Sequence, residues 1–524
     1  MQRRQLLGLA AASAASAALV GMPRTSWGRL NWPTDPFTLG VASGSPTSHS
    51  MVLWSRLGRE ALAQAGQTHA PITVTWQLAN DPQFTQIIQQ GALTAVPELG
   101  HSLHAEVVGL LPARTYFYRF LTGNASSPVG QTRTFPASGQ PTSRLRLAYA
   151  SCQRWGDGFY SAYRDMREQN LDVVMFLGDY IYEYPSFPLR DVRHTQGGWV
   201  ITLEDYRDRY ALHKSDPHLQ AMHAACPWIV TWDDHEVQND YAALHAGYPG
   251  DDTEASFAER RRAAYQAFYE NMPVRYADFA QLLKHQGHQV QVFGNVQFGQ
   301  LATLYTLDNR QYRHRQACTP GDRFGSGRIN PGACASLTQE NRTLLGEQQE
   351  EWLKRQFQQS QSTWNFIGQQ SLLGPRATGT TPNSISNDGW DGYPVARQRL
   401  IDAMRTTRLQ NPVVLGGDLH QNWVGHILSN YAQPESQPVG VEFCGTSITS
   451  RSGATPAALA KILLHSPYFV FANAEYRGYG VVDVTPHHMT TALRAVKNVR
   501  DPNSEVMTLA RFSVEAGQSK VYNQ

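Results

Sequence analysis

Four apolar runs in this sequence are each followed at once by side chains that can bind a metal ion or carry a proton. The run 173–177 ends at Gly178, and Asp179 and Tyr182 follow it. The runs 145–150, 228–232 and 413–416 lead into further such groups: Ser151 and Cys152, then Asp233, Asp234, His235 and Glu236, then Asp418 and His420. Open α/β sheets bind their ligands at the carboxyl ends of the strands. We therefore expect these side chains to meet at one edge and to form a metal site.

The side-chain types favour two metal positions. A phenol such as Tyr182, with a reference pKa of about 10, binds a metal at neutral pH only beside a strongly Lewis-acidic ion. A phenolate and a carboxylate together favour Fe(III) over Zn²⁺, and Mg²⁺ or Ca²⁺ alone would not favour the thiolate of Cys152. An oxygen-rich second position, with Asp179 as the bridge, would suit Ca²⁺, Mn²⁺ or Zn²⁺. Its oxygen donors would be Asp179, Asp234, Asn239 and Asp418.

Paired metal ions indicate chemistry at phosphorus. Two ions about 3.5–4 Å apart clamp an in-line displacement, because one polarises the phosphoryl oxygen and the other lowers the pKa of the attacking water. His235, next to Asp234, would contact the transferred phosphoryl group or protonate the leaving oxygen, so these two residues are the catalytic candidates. Arginines would orient the phosphate through paired hydrogen bonds. The substrate-binding candidates are Arg190, Arg193, Arg310 and Arg313.

The elements that must position these groups fall into two parts of the chain. From 37 to 136, short runs with period-two alternation are separated by Gly, Pro, Asn and Ser, which predicts an all-β sandwich. A linker rich in Pro, Ser and Gly follows over 136–143, and from Arg144 strands alternate with helices. Helices are predicted over 254–271, 341–358 and 395–405, and strands over 301–308, 364–368, 439–443 and 479–484. This second part predicts an α/β sandwich flanked by helices.

Length and charge exclude several classes of protein. A chain of 524 residues predicts two domains or one large one with insertions. A net charge of +2 gives no sign of a nucleic-acid-binding surface. Beyond the N-terminus, no apolar run is long enough to cross a bilayer or to act as a stable anchor.

The N-terminus predicts export. Arg3 and Arg4 precede an Ala/Ser-rich apolar run from Leu6 to Val20, which resembles a twin-arginine signal; an ordinary secretory signal is the alternative. We expect a signal peptide over 1–30 that engages the twin-arginine export machinery, and a mature protein that is periplasmic or secreted. In an exported protein we also expect a disulfide between Cys318 and Cys334, with free thiols as the alternative. Cys226 and Cys444 lie in apolar runs and are predicted to be buried thiols.

Four motifs together resemble the site blocks of the PhoD-type alkaline phosphatase/phosphodiesterase family, which is related to the purple acid phosphatases and the calcineurin-like metallophosphatases. They are Ser151-Cys-Gln, Gly178-Asp-x-x-Tyr182, Trp232-Asp-Asp-His-Glu236 and Gly417-Asp-x-His420. The similarity covers nearly the whole mature chain. The resemblance implies a metallophosphatase-type β-sandwich core flanked by helices, preceded by a fibronectin/Ig-like sandwich. With the pattern above, it predicts an N-terminal β-sandwich domain over 36–138 and a catalytic domain over 144–520.

The resemblance also assigns the ligands. It implies that Fe(III) is held by Cys152, Asp179, Tyr182 and His420. It implies that Ca²⁺, with Zn²⁺, Mn²⁺ and Mg²⁺ as alternatives, is held by Asp179, Asp234, Asn239 and Asp418. Asp234 is preferred over Asp233 because, in the resemblance, it corresponds to the metallophosphatase Asn that directly precedes a histidine.

Four functions are compatible with these residues. We favour an exported alkaline phosphatase, a monomeric phosphoric ester hydrolase that cleaves phosphate monoesters and diesters with a metal-activated water. The alternative is a phospholipase D-like phosphodiesterase acting on lipids or teichoic-acid-type polymers. A non-catalytic binding protein that uses the β-sandwich is disfavoured by the full ligand set. An iron redox enzyme is disfavoured by the several carboxylates of the second position.

Overall fold

The computed structural model describes residues 30–248, 253–287, 289–319, 325–376 and 384–524. The predicted twin-arginine signal lies outside these residues, apart from Leu30. Among the described helices, none has the length and apolar character needed to span a membrane.

The first part of the chain is built of strands, as its alternating pattern predicted, with one short α-helix, α1 (Arg59–Gln64), and a 3-10 turn at Pro97–Leu99. In chain order the strands β1 to β8 are Val41–Gly44, Met51–Arg56, Ile72–Ala79, Ile87–Ala95, Ser102–Val107, Thr115–Thr122, Ala125–Ser126 and Gly130–Arg133. In β6 the side chains alternate between buried and more exposed positions along the whole strand, which is the pattern of a sheet with one face on a core.

The N-terminal sandwich has one sheet of its own and shares the other. Its own sheet has the order β4-β3-β6-β7, with β8 also paired to β6. Strands β1, β2 and β5 instead form one end of a ten-stranded sheet that continues into the rest of the chain. Phe37, Leu53 and Val74 belong to the apolar core between the two sheets. The N-terminal part is therefore hydrogen-bonded into the sheet that bears three of the four predicted site-forming strands.

The second part alternates strands and helices. Strands β9 to β24 are Leu145–Ala150, Val173–Leu177, Trp228–Thr231, Gly294–Phe298, Ala302–Thr306, Arg328–Ile329, Trp364–Gly368, Ile385–Ser386, Pro412–Gly416, Asn422–Leu428, Pro438–Cys444, Phe469–Asn473, Arg477–Val484, His488–Val496, Val506–Glu515 and Tyr522–Asn523. Helices α2 to α9 are Ser161–Arg167, Leu203–Lys214, Pro217–His223, Glu254–Asn271, Tyr276–Leu283, Glu347–Gln359, Pro394–Thr406 and Pro456–His465.

Two large sheets pack face to face. The ten-stranded sheet has the order β24-β23-β22-β21-β9-β10-β11-β1-β2-β5, and the seven-stranded sheet has the order β12-β13-β15-β17-β19-β18-β20. Val173 of the first sheet and Val413 of the second lie in one apolar core between them. A second core lies between the ten-stranded sheet and helices α2 to α6, and a third packs α7 and α8 on the seven-stranded sheet. This is the sandwich flanked by helices that the sequence predicts.

Several predicted boundaries hold. Helix α5 and strand β15 match the predicted ranges 254–271 and 364–368. Helix α7 begins at Glu347 rather than at 341, because Gly346 adopts a φ of 78° that does not continue a helix. The segment 509–514, too short for a prediction from the sequence, belongs to β23, whose partners β22 and β24 stabilise it.

Candidate metal centre

Three neighbouring strands and one strand of the facing sheet deliver the predicted ligands to one edge. Strand β10 lies between β9 and β11 and is parallel to both. Backbone pairing continues past β9, since the N–H of Cys152 donates to the carbonyl of Gly178 at 3.1 Å. Asp234 follows β11, whereas Asp418 and His420 follow β17 of the seven-stranded sheet. The site thus lies where the ends of both sheets meet.

The backbone at this edge is strained. Cys152, Asp179, Asp418 and His420 have φ angles of 61°, 58°, 65° and 56°. Left-handed backbone costs a residue with a side chain about 1–2 kcal/mol, and such residues cluster at functional sites. Gly178, with a φ of 103°, has no room for a side chain, because an added Cβ would lie 2.5 Å from the Cβ of Asp233. The chain therefore turns sharply at the points where it presents the predicted ligands.

One cluster combines the thiol, the phenol and the imidazole around Asp179. Ligand atoms of Cys152, Asp179 and His420 lie within 4.8 Å of one another. The Tyr182 hydroxyl donates to Asp179 Oδ2 at 2.8 Å and lies 3.2 Å from His420 Nε2. The four residues of the predicted iron position are therefore brought together.

A second cluster shares Asp179 and contains Asp234 and His235, with donor atoms again within 4.8 Å. Asp234 Oδ2 accepts the N–H of Asp240 at 2.8 Å. The carboxyl of Asp418 approaches from the facing sheet and interacts electrostatically with Asp233 and Asp234. The Oδ1 of Asn239, on the segment that follows Asp234, accepts a hydrogen bond from the Tyr184 hydroxyl at 2.7 Å.

The electrostatics of these groups fit a cationic ligand. Burial and the repulsion of neighbouring carboxylates raise the pKa of Asp179 and of Asp418 well above the usual range. Burial and the charge of Asp179 likewise raise the pKa of the Cys152 thiol and of the Tyr182 phenol. Such a set of buried acids ionises only when a strong positive charge lies among them. These side chains therefore fit metal ions, and they would be ionised when they bind them.

Known proteins similar to this chain show which family it belongs to. A family model described as PhoD-like phosphatase matches residues 147–493, and one described as PhoD-like phosphatase, N-terminal domain, matches residues 24–136. The chain belongs to the PhoD-like phosphatase family. It is 42% identical to alkaline phosphatase D of Bacillus subtilis (strain 168) over 497 residues, which cover 93% of this chain and 82% of that protein. It also superimposes on a solved structure titled "Structure of PhoD" with a TM-score of 0.87 and 40% identity, over 94% of this chain and 93% of the other.

Membership of the PhoD-like family confirms the resemblance and the predicted fold class. The protein is a phosphoric ester hydrolase, and its substrates are phosphate esters. The family and the clusters of buried donor atoms indicate a metal cofactor.

Two buried glutamates support this PhoD-like site. Glu236 was expected at this edge without a defined role, and Glu183 was not among the predicted residues. Glu183 Oε2 lies 2.7 Å from His235 Nδ1, and its other oxygen accepts the N–H of Asn239 at 2.7 Å. Burial alone would lower the pKa of His235, but the carboxylates of Glu183, Asp234 and Asp179 raise it well above its usual value. Glu236 accepts three backbone N–H groups at the ends of β10 and β11. Glu183 could have been identified from the sequence, since it directly follows the predicted ligand Tyr182.

The predicted substrate-binding arginines occupy different surroundings. Arg193 is not brought to the site, because its guanidinium lies 3.6 Å above the Trp155 ring and pairs with Asp216 at 2.8 Å. Arg310 reaches the site but is buried, and its nitrogens pair with Asp233, Asp388 and Asp234. The contact of Arg193 and Arg310 with substrate therefore stays a prediction, which these pairings do not favour. Arg313 is buried and pairs with Asp388, whereas Arg190 is half exposed, with its Nη2 3.9 Å from Asp157.

A disulfide-closed loop supports a further acidic group of the PhoD-like site. Cys318 and Cys334 form the predicted disulfide, and Cys226 and Cys444 are buried free thiols, as predicted. Within the loop, the Ser326 hydroxyl donates to Asp240 Oδ2 at 2.5 Å. Carboxylate oxygens of Asp234, Asp240 and Asp388 lie within 4.8 Å of one another. Asp240 and Asp388 escaped the sequence analysis because no apolar strand directly precedes either of them.

Proposed function

We propose that this PhoD-like phosphatase hydrolyses phosphate monoesters and diesters at a two-metal centre with a metal-activated water. The proposed Fe(III) ligands are Cys152, Asp179, Tyr182 and His420. The proposed Ca²⁺ ligands are Asp179, Asp234, Asn239 and Asp418, with Zn²⁺, Mn²⁺ or Mg²⁺ as alternatives at this position.

One observation carries the proposal. The phenol oxygen of Tyr182 lies 2.8 Å from Asp179 Oδ2 and 3.2 Å from His420 Nε2, and Cys152 lies in the same cluster. Phenolate, thiolate, imidazole and carboxylate together favour a trivalent iron over the divalent ions that prefer oxygen alone. Ser450 supports the phenol, since its hydroxyl lies 2.8 Å from the Tyr182 oxygen.

Side chains of the protein bind the substrate and transfer the proton to the leaving group. When bound, the metal pair supplies charge to the phosphoryl oxygens and lowers the pKa of the attacking water. Glu183 holds His235 Nδ1, which leaves Nε2 to protonate the leaving oxygen. The rings of His235 and Tyr182 lie with their centroids 4.1 Å apart, so the acid is packed against a ligand. Arg190 is the predicted arginine whose exposure suits contact with substrate.

Elemental analysis and the visible spectrum of the untreated protein test the iron assignment. We expect iron and a tyrosinate-to-iron charge-transfer band, and we expect Tyr182→Phe to remove the band. Tyr248→Phe is the matched control, because Tyr248 is largely exposed. A colourless and fully active protein that contains only zinc would disprove the assignment.

Diesterase activity is tested by comparing a phosphate monoester and a diester with the same leaving group. We expect both to be hydrolysed and both activities to be lost in Asp179→Ala. Phosphatidylcholine or a teichoic-acid-type polymer hydrolysed faster than either simple ester would favour the phospholipase D-like alternative.

We further propose export by the twin-arginine pathway to the periplasm or the medium, with domains over 36–138 and 144–520 in a monomeric mature protein. The Arg3-Arg4 pair supports this route, and the disulfide suits an oxidising compartment. Arg3→Lys with Arg4→Lys should retain the enzyme in the cytoplasm of an expressing bacterium, and unchanged export would reject the route. Light scattering during size exclusion tests the monomer.

A further inference from the structure

A cleft of about 310 Å³ lies beside the metal centre and shares a chain segment with it. Thr449, Arg451 and Ser452 line the cleft. The same segment contacts the proposed ligands, since the carbonyl of Arg451 lies 2.8 Å from His420 Nδ1 and the Ser450 hydroxyl lies 2.8 Å from the Tyr182 oxygen. The segment 449–452 therefore borders both the cleft and the proposed ligands.

The cleft is lined by more positive than negative side chains. Its charged lining consists of Arg451, Arg477, Lys497 and Arg500 against Asp157 and Glu475. Lys497 and Arg500 are both exposed, and Lys497 pairs with Glu505 at the surface. Such an excess of positive charge in a concave surface attracts anions.

Arg477 gives the cleft a buried positive charge. Its side chain is 6% exposed, and its guanidinium donates to the carbonyls of Ser450 at 2.9 Å and Ala474 at 2.5 Å. Within the described parts of the chain it makes no salt bridge, and Asp157, which pairs with Arg451 at 3.1 Å, interacts with it only at longer range. A buried cation whose hydrogen bonds go to carbonyl groups and that makes no salt bridge is costly, and an anion in the cleft would offset that cost.

The turn that bears Lys497 and Arg500 is fixed in place. The carbonyl of Val499 accepts the N–H of Phe159 at 2.7 Å. A Cβ on Gly158 would lie 2.5 Å from the same carbonyl oxygen, so glycine permits this close approach. The two cations therefore stand against the loop that begins at Cys152.

We propose that this cleft binds a second phosphoryl group of the substrate, remote from the phosphorus that is attacked, so that the preferred esters carry two phosphoryl groups joined by a linker. Arginines bind phosphoryl oxygens through paired hydrogen bonds, and the segment 449–452, which lines the cleft, also contacts His420 and Tyr182. This inference rests on the proposed function, because it assigns a substrate class to the same centre.

A series of α,ω-alkanediol bisphosphates of increasing linker length, compared with the alkyl monophosphates, tests the proposal. We expect KM to be about tenfold lower for bisphosphates at one optimal linker length, as for one charge-assisted contact. Lys497→Gln with Arg500→Gln should remove this preference and leave kcat/KM for the alkyl monophosphates unchanged. Lys354→Gln with Arg355→Gln, an exposed pair on α7, is the control with the same loss of charge.

Each outcome decides one question. No preference at any linker length, or an equal loss in the control variant, would overturn the second subsite. Inorganic phosphate provides a further test. If it abolishes the preference for bisphosphates but inhibits alkyl monophosphate hydrolysis equally in wild type and in the Lys497/Arg500 variant, free phosphate competes at the cleft. That result would support the second subsite. Failure of the wild-type enzyme to hydrolyse the alkyl monophosphates would instead reject the proposed function.

Discussion

The carboxylate of Glu236 holds the backbone of Asp179 in place. Glu236 Oε2 accepts the N–H of Asp179 at 3.0 Å and that of Asp233 at 2.8 Å, and Oε1 accepts the N–H of Tyr180. The single buried carboxylate of Glu236 thus joins the ends of β10 and β11. These strands are followed by the proposed bridging ligand Asp179 and by Asp233.

We expect Glu236→Gln to lower metal affinity or kcat about 10–100-fold, as for other residues that orient metal ligands. The amide nitrogen of glutamine would face a backbone N–H, so at least one of the three hydrogen bonds would be lost. Elemental analysis and steady-state kinetics measure both effects. Glu259→Gln, at an exposed position, is the control, and full metal content with wild-type kcat in Glu236→Gln would contradict the role.

Glu183→Gln should impair the step that protonates the leaving oxygen, because Glu183 orients His235 through a contact of 2.7 Å. We expect kcat for alkyl phosphates to fall about 100-fold, with a much smaller fall for nitrophenyl phosphate, whose leaving group needs no proton. KM and metal content should stay close to the wild-type values. An equal loss for both esters would argue against His235 as the acid.

The disulfide should stabilise the loop that contacts Asp240. Cys318 and Cys334 are 16 residues apart, and closing a loop of that size contributes about 3 kcal/mol. The double replacement Cys318→Ser with Cys334→Ser should therefore lower the thermal midpoint by several degrees. A reducing agent should have the same effect on the wild type and no effect on the variant. Equal midpoints for all samples would show that other contacts hold the loop.

Lys214 should make stability depend on pH. Its ammonium lies 4.1 Å from the Trp54 ring centroid and 5.4 Å from that of Tyr180. Burial, with a smaller contribution from Arg56, lowers its pKa from 10.5 to about 7. Between these values the unfolded chain binds a proton that the folded chain does not. Stability therefore rises with pH across this window, by about 1.4 kcal/mol per unit.

Replacing Lys214 by methionine should remove this slope. The variant should be more stable than the wild type near neutral pH, and the difference should shrink as the pH approaches 10.5. Denaturant midpoints measured across this range test the expectation. Parallel pH profiles of the two proteins would show that the buried amine does not titrate in the window.

The sequence predicted the site best where chemistry directly follows an apolar strand. Such positions are held by Cys152, Asp179, Asp234 and His420. The structure brings the ends of the strands that precede these residues together. The sequence did not show that β17 belongs to the facing sheet, because strand pairing is set by distant contacts. Ser450 and Asp388 also escaped, since they lie far along the chain from the residues that they contact.

Helix α3 shows a different reason for a missed element. It buries Arg207, Arg209 and Lys214, and so it lacks the apolar stripe by which helices are recognised. Glu270 pairs with Arg207, and the carbonyls of Tyr182 and Tyr184 accept from Arg209. These partners come from segments far away in the sequence. The burial of charged residues in α3 is therefore explained by tertiary contacts, which the sequence pattern does not show.

Strand β1 shields β11 from solvent along its outer margin, through a pairing that aligns Gly44 with Trp228. A shortened polypeptide starting near Arg144 would expose β11 as an edge strand. Exposed edge strands pair with other molecules and cause aggregation. Production of the hydrolase without residues 1–143 should therefore give insoluble aggregates, even though every proposed ligand would still be encoded.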